Sequence, residues 1–205
     1  MRNNNPTQSS RKAALLAALL ALVLLDSSSL CAAEALTWQI DPNHSATQFS
    51  VRHMGISTVR GVFEKTTGTV NFDSADPTKT TIEATIDTNT VNTRVQARDN
   101  DLRGPHFLEV AKHPTITFKS TRTEVVGSGK LKIMGDLTIH GVTKQVVLDV
   151  DGPSETIKDP MGHMRMGANA TAKINRSDFG MTYGSGMVGD EIQIILDIEM
   201  TRPAK

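Results

Sequence analysis

Cysteine occurs once in the 205-residue chain, at Cys31, so no internal disulfide is available and the apolar core must carry stability unaided. Aromatic residues make up 4%, too few for a platform that stacks single-stranded nucleic acid. Neither sign of charge is in excess, with 22 basic and 22 acidic residues, which removes the electrostatic case for nucleic acid or an anionic membrane surface as partner. No apolar run reaches the roughly 20 residues of a membrane-spanning helix.

The one long apolar run, Ala13 to Leu25, has the features of an address. Arg2, Arg11 and Lys12 precede it, and Asp26 to Ser29 break it. Small residues at Cys31, Ala32, Ala33 and Ala35 then suit a cleavage site. Residues 1–33 are therefore expected to be a secretory signal peptide, with a domain at 34–205 working in the periplasm or outside the cell. A lipid anchor on Cys31 is disfavoured, because Ser28 and Leu30 stand where a Leu and a small residue are wanted. Loss of 1–33 removes three basic residues and one acidic one, leaving 19 against 21.

What is present is alternation. In Gly135 to Val150, Leu137 and Ile139 alternate with polar neighbours before Gly141, and Val146, Leu148 and Val150 alternate after it. A period of two puts each set on one face of a strand. Gly141 pays no steric cost at positive φ, so the stretch reads as a hairpin with one apolar face. The same pattern recurs at Thr47, Phe49, Val51 and His53, at Ile82, Ala84 and Ile86, and at Ile116 and Phe118. It returns at Ala168, Ala170, Ala172 and Ile174, and at Ile192, Ile194, Leu196, Ile198 and Met200. Gly61 and Gly68 suggest bends or bulges. Thr93 to Gln96 matches a capping box and predicts the one substantial helix over 94–103, closed by Gly104-Pro105, as a lid or a mere crossover. About eight strands result, the number at which a closed antiparallel barrel can just be filled or hold one small ligand.

Four stretches in order carry a resemblance. They are Asp41…His44-Ser45…Phe49 to His53, His113 to Ser120, Gly135 to Lys144, and Asn175 to Gly180. Together they resemble the YceI-like family, secreted bacterial lipid-binding proteins with a lipocalin-like barrel. The resemblance spans Trp38 to about Thr201. It implies an all-β, eight-stranded antiparallel lipocalin-like barrel with one short helix, holding a polyisoprenoid chain such as a polyprenyl diphosphate or an isoprenoid quinone. Three positions depart from the family pattern. Asp101 stands where His usually precedes Leu, His106 where Asp often precedes the aromatic residue, and Gln145 where Pro is common.

The expected lipid-facing set is Phe49, Val51, Phe63, Phe72, Ile82, Ile86, Ile116, Phe118, Leu137, Ile139, Leu148, Ala170, Ala172, Ile194 and Leu196. All of them would equally serve as packed core. Arg52, Arg60, Arg94, Arg98 and Arg176 are the candidates for a phosphate head group.

Catalytic constellations are missing. Gly184-Ser185-Gly186 is too short for a nucleophile elbow, and Asp178-Phe179-Gly180 lacks the phosphate and catalytic loops of a kinase. The histidines at 44, 53, 106, 113, 140 and 163 are scattered, and sequence cannot show whether two of them meet. No enzyme activity, cofactor or metal is therefore expected. The alternatives are a hydrolase, or a copper-handling protein using Met161, His163, Met164 and Met166, whose thioether and imidazole donors suit copper(I). No protein partner is indicated; an exposed strand edge would allow a homodimer.

Overall fold

The computed structural model describes residues 35–204. The signal-peptide and Cys31 readings lie outside the described residues. The strands are β1 (Leu36–Ile40), β2 (Ala46–His53), β3 (Ser57–Phe63), β4 (Thr66–Phe72), β5 (Thr81–Asp87) and β6 (Val91–Asn92). Among the described residues one α-helix, α1 (Gln96–Arg103), precedes β7 (Thr115–Gly127), β8 (Lys130–Ile139), β9 (Val142–Asp151), β10 (Ile157–Lys158), β11 (His163–Asn175) and β12 (Val188–Pro203).

Eight strands close an antiparallel ring in the order β1-β4-β5-β7-β8-β9-β11-β12, with β12 pairing back to β1. Closure leaves the ring without a free edge. The other four strands are additions. β12 is long enough to pair β1 along its end, at Thr201 and Met200, and β2 along its earlier part, from Val188 to Asp197. β3 and the two-residue β6 continue outward from β2, and β10 pairs β11.

The β8–β9 hairpin follows the alternation. Ile133 faces Leu148, Leu131 faces Val150, and Ile139 faces Val142. The turn is the pair His140-Gly141, both at positive φ (51° and 75°), the primed geometry that matches strand twist. Outside, Lys130 pairs with Asp151, Lys132 with Asp149, and the Thr138 and Thr143 hydroxyls bond at 2.8 Å. These cross-strand pairs hold the register on the wet face.

Two expectations need correction. Gly61 and Gly68 are not bulges, since both sit in continuous register, opposite Phe49 and Ala84. Gly61 is there for space: a Cβ would strike the Phe49 ring. The register shifts fall instead between Ser120 and Arg122, between Val125 and Gly127, and between Val188 and Ile192. The capping box does not form either. The helix starts at Gln96, because Arg94 takes a left-handed φ of 65° and Val95 offers no side-chain cap. Gln96 bonds Asn100, while the buried Asp99 carboxylate reaches back to accept from the Thr93 N–H and hydroxyl. A short carboxylate satisfying backbone donors competes with the box for the same groups.

Candidate functional site

The inner faces of the ring and of β2 and β3 line a cavity of about 250 Å³. That is close to the lower end of the roughly 300–1,000 Å³ range of ligand pockets. Its wall is nearly all hydrocarbon. The few polar side chains on it are spent: the Thr47 and Thr66 hydroxyls bond each other at 2.8 Å, and the Thr80 hydroxyl donates to the Pro77 carbonyl. A wall so nearly free of unsatisfied polar groups gives water little to bind, and apolar cavities of this kind stay dry.

Fourteen of the fifteen residues expected to face the interior line this cavity; Ala172 does not. Ala172 is buried in the surrounding core instead. The period of two placed the others, because it needs only strands and one dry face. Sequence reasoning missed Leu102, Phe107, Leu108 and Met181, which close the wall from irregular segments and from α1. Leu102 is the one residue of α1 on the wall, so α1 touches the cavity at a single side chain. Irregular backbone has no period to betray which side chain turns inward.

The five arginines diverge. Arg60 and Arg94 are exposed and make no side-chain bond among the described residues. Arg98 donates to the Thr93 hydroxyl and carbonyl, and Arg52 to the Thr58 hydroxyl and the Gly55 carbonyl. Arg176 alone lines the cavity, and it is 5% exposed. Its guanidinium donates to the carbonyls of Gly189, Met181, Tyr183 and Val188. Four of its five N–H groups are thereby used, and they draw the loop between β11 and β12 around one cation. Arg176 and Val188 also line an outer depression with Arg52, Ser177, Met187 and Asp190, so they form the partition between cavity and surface. Asp190 there accepts from the Ser177 hydroxyl and N–H, which with nearby Arg176 hold its carboxyl below the ordinary range.

The two departures in the α1 region face each other, with His106 Nδ1 3.9 Å from Asp101. His106 also stacks on Tyr183 at 4.1 Å, and Phe107 meets Tyr183 edge-on at 5.7 Å. The sulfur donors proposed for copper do not converge. Strand alternation turns Met164 and Met166 into the core around Trp38 and sends His163 to the opposite face, beside Asp159. Met161 is exposed.

The model of the YceI-like domain matches residues 38–200. The chain belongs to the YceI-like family. A UPF0312 protein of Ectopseudomonas mendocina is 36% identical over 191 residues, covering 93% of this chain and 98% of that protein. The crystal structure of the Campylobacter jejuni YCEI protein superposes with a TM-score of 0.64 at 31% identity, over 75% of this chain and 90% of the other. A polyisoprenoid binding domain from Saccharophagus degradans shares the fold, with a TM-score of 0.59 at 15% identity over 81% of this chain and 98% of that one. Within this YceI-like barrel, the motif Asn175 to Gly180 acquires a physical role. Arg176 gathers the loop, Phe179 is buried at 1% exposure, and Gly180 closes the short 3-10 turn at φ 80°.

Proposed function

We propose that this YceI-like protein is a binding protein, not an enzyme, and that its cavity holds the tail of a long-chain isoprenoid lipid. The observation that carries the proposal is the hydrocarbon-walled cavity inside the ring. Each buried CH₂ group contributes about 0.8 kcal/mol, so a long chain binds such a wall without a specific contact. The Saccharophagus degradans domain, described as polyisoprenoid binding, supports the lipid class. The head group lies at the Arg176 partition, where one guanidinium N–H is left over from the four carbonyl bonds. Residues 1–33 export the chain, and the lipid is met outside the cytoplasm.

Purified protein extracted with organic solvent and analysed by mass spectrometry tests this. A stoichiometric isoprenoid is expected, and its mass names tail and head group together. An extract with no lipid, from protein that also fails to take up added polyprenyl phosphate or quinone, overturns the proposal.

A further inference from the structure

Six histidines are scattered along the sequence, and the fold brings two of them together. His113 ends the loop before β7, and His140 opens the β8–β9 turn. Their rings lie 4.8 Å apart, edge to face. Glu109 completes the group: its Oε2 is 3.6 Å from His140 Nε2 and 4.0 Å from His113 Nε2.

His140 shows what the group lacks. Its Nδ1 lies 3.2 Å from the Phe179 carbonyl oxygen. A carbonyl only accepts, so in the neutral ring Nδ1 carries the proton and Nε2 presents its lone pair. Nε2 is buried and has no hydrogen-bond partner. A lone pair facing a carboxylate oxygen across 3.6 Å leaves a place for a cation between them.

The surroundings prepare all three donors. Glu109 is held at φ 45°, a left-handed conformation uncommon for a residue with a side chain and concentrated at functional sites. Its own carbonyl accepts from the Lys112 and His113 N–H groups at 2.8 and 2.9 Å, which folds Glu109 and His113 into one turn. Lys112 occupies Oε1 at 2.7 Å and leaves Oε2 to the histidines. The Thr88 hydroxyl fixes the His113 carbonyl at 2.9 Å. A ligating histidine characteristically donates its other ring N–H to a carbonyl or carboxylate, as His140 does here.

We propose that Glu109, His113 and His140 bind a divalent transition-metal ion of the zinc class, through one carboxylate oxygen and two imidazole nitrogens. That donor set suits zinc, which sits about 2.0–2.2 Å from such ligands. Tetrahedral ligands at that range stand roughly 3.3 Å apart, so the two carboxylate–imidazole separations need only small closure. Three protein ligands leave a fourth position for water. The ion pins the loop that carries Phe107 and Leu108 to the turn that follows Ile139, and so braces one end of the cavity wall. Lys112 is the nearest like charge, but its ammonium is largely exposed and screened by water.

A second group, Asp41, His44 and Glu199, has similar spacing. It carries no such inference, because Arg165 already bonds both carboxylates and supplies the cation.

The test uses tag-free protein stripped with a chelator, then titrated with Zn²⁺ and with Co²⁺. One equivalent is expected, with a raised Tm and, for cobalt, the visible absorption of a four-coordinate site. Glu109→Gln and His113→Gln should each weaken binding at least tenfold. His140→Asn should do the same while keeping the turn, since Asn tolerates positive φ. His44→Ala and His163→Ala should bind as the parent does. A folded protein that takes up no ion, or one whose binding is unchanged in both Glu109→Gln and His113→Gln, overturns the proposal.

Discussion

Arg165 stands among three carboxylates and joins segments far apart in the chain. It bonds Asp41 at the β1–β2 corner, Asp159 before β11, and Glu199 on β12. Burial would raise the Asp41 pKa, but bonds from His44 and Arg165 outweigh it and hold the carboxyl at about 2. Arg165 foremost, with the His163 N–H, holds Asp159 at about 2 as well. Both values lie below the ordinary 3.8. The sign follows from linkage: a depressed carboxyl contributes stability that is full above the unfolded value, fades as pH falls through the folded one, and is gone below it. Arg165→Gln should therefore lower the Tm by several degrees at pH 7, and the gap to the parent should shrink between about pH 4 and pH 2. Melting both proteins across that range checks the claim; an undiminished gap at pH 2 would mean that Arg165 acts through packing. None of this was legible in the sequence, where Asp41 and Glu199 lie far from Asp159 and Arg165.

Strands were the readable elements. Alternation in β8, β9, β11 and β12 named their inner faces because a strand shows its period within a few residues. The glycines and the helix start were not readable, because each depends on a neighbour across the sheet or several residues away. Gly135 makes the point physically. A Cβ there would fall on the Phe118 ring and within 2.6 Å of the Lys119 carbonyl oxygen on the paired strand. At Gly61 the obstacles are side-chain ends, the Phe49 ring and the Thr93 methyl. Backbone yields less than a side chain, so Gly135→Ala should cost about 1–3 kcal/mol, the range for overpacking. Gly61→Ala should cost less. Urea unfolding of the two variants ranks them, and the reverse order would show that the Phe49 ring is the more rigid obstacle.

At the scale of the whole molecule, the question is whether the inner face is a container or a filled core. Alternation cannot separate the two, since both want the same apolar residues; only the three-dimensional closure leaves about 250 Å³ inside. Ala170 and Ala172 share a face of β11 yet differ in what they meet. Ala170 lines the cavity, between Val150 of β9 and Leu196 of β12, while Ala172 is packed in the core around it. A cavity of about 150 Å³ suffices to hold benzene. The ring added by Ala170→Phe therefore fills a large share of this one while finding room to sit. Its Tm should stay within a few degrees of the parent, and uptake of an added isoprenoid should fall at least tenfold. Ala172→Phe has no void to enter, so it should lose about 1–3 kcal/mol of stability through overpacking, while the protein that remains folded still takes up lipid. Lipid uptake and thermal melting measured on both variants separate the two effects. A folded Ala170→Phe variant with undiminished uptake would place the lipid elsewhere and leave the hollow without a role in binding.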